Sequence, residues 1–203
     1  NDIGNGDYFA FIGTDYAYAV SGGLNWWKWF IGEGGVRVPL IVVPPKNWAF
    51  AHGAQKTDAF ASVKDIPMTI LDYAGVPHPG ANYKGRTLAQ PSGLSMRDYL
   101  EGSKDQPRTE DDWYAFELFG NAYVVAGDYK AIRVRPAMYG DGKWHLYNIR
   151  KDPGETQPLD EADPGRLKQL IAIYDRFAED KGIVPVADNW NPWHGFLDEE
   201  DLE

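Results

Sequence analysis

One lysine sits among four aromatics in Trp26-Trp27-Lys28-Trp29-Phe30, with four residues between it and Glu33-Gly34-Gly35-Val36-Arg37. A lysine ammonium is a compact positive charge suited to anionic oxygens. Aromatic walls lower the local dielectric and strengthen its hold on a sulfate or phosphate oxygen. The same residues also fit a lysine whose stem lies along an aromatic surface while its ammonium reaches water. On residue chemistry alone this second reading is the simpler. Glu33 and Arg37 flank the Gly34-Gly35 turn, where they can pair with each other or with neighbours and hold it. The histidines His52, His78, His145 and His194 are scattered without metal-ligand spacing, and no metal ligand is assigned. His52, in Ala51-His52-Gly53, follows the first expected strand, so it could face a site; a surface-loop position is the alternative. His145 alternates with Trp144 and Leu146 and reads as sheet surface.

The chain of 203 residues, 43% hydrophobic and 14% aromatic, is long enough to bury a core. Its net charge of −10 argues against nucleic acid and anionic membrane surfaces as partners, because both call for a basic face. An anionic small molecule remains compatible if positive charge is focused in one pocket. There is no cysteine, which excludes disulfides, thiolate metal sites and a cysteine nucleophile within the chain. No stretch reaches the ~18 apolar residues of a membrane span. The first residue is Asn1 rather than Met, and the expectation is a piece of something longer or a processed product.

The elements that must position Lys28 read as follows. Residues 1–23 form an irregular segment, with Tyr16–Val20 a short helical or extended piece. Val36–Val43 reads as a buried strand, with Pro39 placing it at an edge or bulge. Asp65–Gly75 reads as a short helix with Asp65 as N-cap and Met68, Leu71 and Ile70 toward the core. Residues 76–91 read as loop, and Ser95–Gly102 carries a capping-box pattern. Trp113–Leu118, Tyr123–Ala126, Tyr129–Val134 and Trp144–Ile149 read as four antiparallel strands joined by short turns. Asp163-Pro164 opens a helix whose apolar stripe is Leu167, Leu170, Ile171, Tyr174, Phe177 and Ala178, ending at Gly182. The sheet is the partner that stripe requires. Trp190 and Trp193 follow, and Asp198–Glu203 reads as a solvated acidic end.

Lys28, four residues, then Glu33-Gly34-Gly35-Val36-Arg37-Val38-Pro39 resembles the K-x4-E-G-G-x-R-x-P segment of sulfatases, the formylglycine-dependent hydrolases of the alkaline phosphatase superfamily. Asp65-Ile66-Pro67-Met68-Thr69-Ile70-Leu71-Asp72-Tyr73-Ala74-Gly75 is similar to the family's D-x-x-P-T-L-L-x-x-A-G helix. Lys84-Gly85-Arg86 with Leu94–Leu100 is similar to its G-x-S-L passage. Tyr123–Val134 and Gly142–Leu159 resemble R-x-G-x-W-K and W-x-L-Y-D-L-x-x-D-P-G-E-x-x-x-L. These matches run in order from Lys28 to Gly182 and lie closest to the bacterial arylsulfatase branch.

The resemblance implies an α+β chain: the C-terminal part of an alkaline-phosphatase-like α/β fold, with a four-stranded antiparallel sheet packed on a long helix. Residues 1–110 would be the remainder of the catalytic domain, 111–183 a small sheet-plus-helix subdomain, and 184–203 an acidic tail. It implies hydrolysis of small-molecule sulfate esters, with Lys28 touching the sulfate and the leaving-group oxygen. The formylglycine precursor motif C/S-x-P-x-R is absent, and so are the paired aspartates and D-N-G that supply Ca2+ ligands. The expectation is therefore that Ca2+ and formylglycine belong to the intact enzyme, that the missing N-terminal part of the same protein is the partner, and that the chain alone is inactive. Two other functions stay open. A phosphonate or phosphate ester hydrolase of the same superfamily would use the same lysine. A carbohydrate-binding module would present Trp26, Trp27 and Trp29 as a sugar-stacking face.

Overall fold

The computed structural model describes residues 13–48, 50–53 and 55–192. In chain order the elements are α1 (Thr14–Val20), α2 (Glu33–Val36), α3 (Asp65–Tyr73), β1 (Asn82–Tyr83), β2 (Arg86–Thr87), α4 (Arg97–Leu100), β3 (Tyr114–Leu118), β4 (Asn121–Ala126), β5 (Tyr129–Arg133), β6 (Trp144–Asn148) and α5 (Pro164–Lys181). They fall into two compact units, one of residues 1–39 with 114–203 and one of residues 40–113. The aromatic segment thus groups with the C-terminal sheet rather than with the residues that directly follow it. The acidic run Asp198–Glu203, Trp193 and His194 lie outside the described residues.

The first unit is built on an antiparallel meander in the order β3-β4-β5-β6. Strand side chains alternate between faces, so each row across the sheet faces one way. Ala115, Val124, Ala131 and Leu146 align in one such row. That row meets Leu170 of α5, with Leu167, Ile173, Tyr174 and Phe177 packed around it. Ile173, rather than the expected Ile171, joins this cluster. The helix starts as its sequence dictates: the Asp163 side chain accepts the Arg166 N–H at 3.0 Å, and Pro164 fills the first turn. It ends at Gly182, whose φ of +62° suits glycine.

The opposite sheet face carries Tyr123, Val125 and Ile132, and it is covered by Ile31 and Val36 of the aromatic segment. Covering both faces explains why all of β4 is buried, in contrast to a sheet with one wet side. The nearby Arg135 guanidinium donates to the carbonyls of Ala187 and Trp190, tying down the first part of the C-terminal tail.

In the second unit, α3 begins at Asp65, and Lys64 rather than Asp65 is its N-cap. The Asp65 carboxylate instead accepts from the amides of Ser62 and Leu94, each at 2.8 Å, and pairs with the buried Arg108. Asp65 and Thr69 are the buried residues of α3, while Ile70, expected toward the core, is exposed. The hydroxyl of Thr69 donates to the Asp65 carbonyl and accepts the Met96 amide, joining α3 to the approach of α4. Met96, Tyr99 and Leu100 form the apolar cluster of this unit with Phe50, Ile66 and Tyr73. Ser95 does not close a capping box with Asp98; its hydroxyl donates to Asp72 at 2.5 Å and accepts the Arg97 amide at 3.2 Å. The expected loop of residues 76–91 contains the β1–β2 hairpin, turned by Lys84 and Gly85 at φ +48° and +77°.

The expected strand Val36–Val43 is not one. Its first residue ends α2, and residues 37–43 pair with no strand among the described residues. Val38, Ile41 and Val43 are 76%, 85% and 79% exposed. Branched apolar residues favour a strand only where a neighbour supplies ladder bonds and packing, and Pro39 removes one donor from the run.

Candidate functional site

Lys28 occupies the corner of a tight turn. The Phe30 N–H donates to the Trp27 carbonyl at 3.0 Å, so Lys28 and Trp29 form the tip. Trp29 has φ +82°, the left-handed conformation that the third position of a type II turn requires. The Lys28 side chain is exposed, and its Nζ lies 5.4 Å from the centre of the Trp29 ring. Among the described residues no carboxylate is within ion-pairing distance of it. Trp26 and Trp27 turn inward: Trp26 stacks on Phe30 with centroids 4.5 Å apart, and Trp27 meets the same ring edge-on at 5.1 Å. Of the three tryptophans proposed as a sugar-stacking face, Trp29 is the exposed one, at 44%, and its ring stacks on Phe119 with centroids 5.8 Å apart.

Below the tip the chain closes on itself. The Gly34 N–H reaches the Asn25 carbonyl at 2.7 Å, and Gly35 N–H that of Gly32 at 2.8 Å. The glycines are demanded by this proximity. A Cβ on Gly34 would stand 2.0 Å from the Trp26 carbonyl oxygen, and one on Gly35 would stand 2.2 Å from that of Phe30.

The acidic residue of the turn finds its counter-ion in the sheet. Glu33 is buried, and its Oε1 accepts from Lys130 Nζ at 2.9 Å; Arg37 stands further off, at 3.9 Å from Oε2. Lys130 is fully buried in β5 and also donates to the Ile31 carbonyl at 2.8 Å. The second counter-ion is Glu155, with Oε1 at 2.9 Å from Nζ. Glu155 Oε2 accepts the Glu33 backbone N–H at 2.9 Å. Burial pushes the Glu155 carboxyl above its ordinary range, and Lys130 opposes this. The Tyr123 ring lies 4.9 Å from Nζ and completes the enclosure. With Arg37 included, two cations meet two carboxylates.

This cluster was missed in the sequence because its members stand far apart, Lys130 being 97 residues from Glu33 and Glu33 122 from Glu155. A signal was nonetheless present. Glu33, Lys130 and Glu155 each belong to one of the stretches that carried the family resemblance.

His52 belongs to the other compact unit. It is half-buried and stacked on Tyr99 with centroids 4.4 Å apart. Its buried Nε2 has no hydrogen-bond partner among the described residues. His78 accepts the Gly80 amide at 3.1 Å and shapes a local turn. His145 is gripped by two carboxylates, Asp160 at 2.6 Å from Nδ1 and Asp141 at 3.0 Å from Nε2. Burial works against the charged ring, but the hydrogen bonds and charges of Asp160 and Asp141 outweigh it and raise its pKa. Among the described residues no group of three or more His, Asp or Glu side chains is placed to hold a metal ion, and the chain has no cysteine. These residues do not fit a Ca2+ site or a cysteine-derived formylglycine.

No protein-family model matches the chain. It is 33% identical over 189 residues to an uncharacterized sulfatase of Schizosaccharomyces pombe, covering 93% of this chain and 33% of that protein. Human steryl-sulfatase is 27% identical over 209 residues, covering 89% of this chain and 34% of the enzyme. The arylsulfatase of Clostridium perfringens is 25% identical over 158 residues, covering 76% and 30%. Among solved structures, a 2-O GAG sulfatase superposes with a TM-score of 0.40 at 20% identity, over 66% of this chain and 26% of that one. A protein from a Bacteroides thetaiotaomicron locus for metabolism of multiple glycosaminoglycans gives 0.42 at 19% identity, over 54% and 23%. The chain spans about a third of the length of the curated relatives it matches. Sequence similarity to these three sulfatases runs over 93%, 89% and 76% of this chain.

Proposed function

We propose that this chain is the C-terminal portion of a sulfatase that hydrolyses sulfate esters, of the arylsulfatase type, and that Lys28 meets the sulfate and the leaving-group oxygen. The observation that carries this reading is the presentation of Lys28: an exposed ammonium at the corner of a turn whose base is closed by Gly34 N–H to the Asn25 carbonyl. A cation held there stabilises the charge that develops on a departing phenoxide or alkoxide, which accelerates the step without tightening the ground state. Ca2+ and formylglycine would be held by the portion of the enzyme outside this chain and would supply the nucleophile. The chain by itself would be inactive. His52, whose buried Nε2 has no hydrogen-bond partner among the described residues, is a second candidate for substrate contact.

The test is Lys28→Ala in the intact enzyme that contains this segment. Turnover of an aryl sulfate is expected to fall by about 10²–10³-fold, the range seen when one oxyanion-stabilising donor is lost, with thermal unfolding unchanged. A near wild-type rate removes Lys28 from the site. Comparing aryl sulfates with aryl phosphonates on the same enzyme separates the sulfatase reading from the phosphonate one.

A further inference from the structure

We infer that Lys130, clamped between Glu33 and Glu155, is a positioning residue for Lys28; the inference rests on the reading of Lys28 as the group that meets the ester. Lys130 does not reach the Lys28 side chain. It grips the segment that leaves the Lys28 turn, through the backbone carbonyl of Ile31 at 2.8 Å and the side-chain Oε1 of Glu33 at 2.9 Å. Glu155 holds the same stretch a second time, through the Glu33 N–H at 2.9 Å. Gly34 N–H to the Asn25 carbonyl closes the loop on its other side. The tip is therefore fixed from both sides.

The composition of the clamp argues for this role. Packed apolar residues of the same volume hold a sheet as well as a buried ion pair does, or better. What a buried charge cluster adds is one permitted arrangement, since any shift leaves a charge unpaired. Glu155 also holds φ +52°, a left-handed backbone that non-glycine residues adopt at an energetic cost. That conformation is maintained by Asp152, whose side chain accepts the amides of Thr156 at 2.8 Å and Gln157 at 2.9 Å. An ammonium that must meet an ester oxygen needs such fixing, because a displacement of about 1 Å can cost ~10²-fold in rate.

The test uses the full-length enzyme and a series of aryl sulfates whose phenols differ in acidity. Lys28→Ala is expected to lose most on the least acidic phenol, which depends most on help at the leaving oxygen. Lys130→Met is expected to show the same pattern, with a loss of roughly 10- to 100-fold on the least acidic phenol and a smaller one on the most acidic. The double variant K28A/K130M is expected to be no slower than K28A. Should K130M not fold, Glu155→Gln carries the test, since it keeps Lys130 paired with Glu33 and keeps an acceptor for the Glu33 N–H; the same pattern is expected at lower amplitude. A uniform loss on every phenol, or losses of K28A and K130M that multiply, overturns the positioning role, and so does an E155Q enzyme with the wild-type pattern. Wild-type rates of K28A on every phenol overturn the reading of Lys28 first.

Discussion

Lys130 lies in the third strand of a four-stranded sheet, with apolar rows above and below it. Asp65 begins a nine-residue helix in a unit whose other regular pieces are a four-residue helix and a hairpin of two-residue strands. Both side chains are fully buried, and both are paired with opposite charge. In the first unit the sheet and α5 already define the architecture, and the charges fix one loop against it. In the second unit little regular structure is available. There the Asp65 carboxylate itself joins the stretch before α3, the approach to α4 and the Arg108 segment. A buried charge added to a built scaffold tunes a local geometry; a buried charge in place of a scaffold holds the unit together.

The largest expected effect tests the second half of that contrast. Asp65→Ala leaves Arg108 buried without its partner and frees two backbone amides, at about 3–5 kcal/mol. Hydrogen exchange is expected to quicken throughout residues 62–108 while the amides of β3–β6 stay protected. A loss no greater than that of an exposed ion pair would erase the contrast. A smaller effect tests the first half. Gly34→Ala puts a Cβ against the Trp26 carbonyl and is expected to cost about 1–3 kcal/mol, read in thermal unfolding. The disturbance should stay within residues 25–36, visible as changed tryptophan emission without loss of sheet signal.

The smallest effect concerns His145, a charge on the sheet that is only half-buried. Its folded pKa is raised above the ordinary 6.5. The protonated ring therefore contributes stability in full below the unfolded value, and the contribution is lost as pH rises through the folded pKa. Wild type should exceed His145→Gln by less than ~1 kcal/mol near pH 5.5 and by less still near pH 8. A gap that widens with rising pH would show that the Asp141 and Asp160 contacts favour the neutral ring.

Much of the first unit was legible in the sequence. The strands alternate, their turns carry glycine, and α5 has its cap, its proline and its terminal glycine in the expected order. The Lys28 turn was legible as a pattern, but the reason for its glycines was not, because crowding by the Trp26 and Phe30 carbonyls is a tertiary fact. The second face of the sheet was illegible, because residues 25–36 have no period that announces a cover. Asp65 was read as a helix cap because an acidic residue before an apolar run usually is one. Its pairing with Leu94 and Arg108 depends on contacts 29 and 43 residues away.

The stretch after the Lys28 turn has a further consequence. Leu40-Ile41-Val42-Val43 is uncharged, rich in branched residues and exposed, the composition from which chains stack into intermolecular sheets. Pro39 on one side and Pro44-Pro45 on the other act as gatekeepers, since neither end can donate the amide that would extend a ladder. The net charge of −10 adds repulsion between copies. Stacking of copies through this stretch is therefore opposed by three prolines and a surplus of carboxylates.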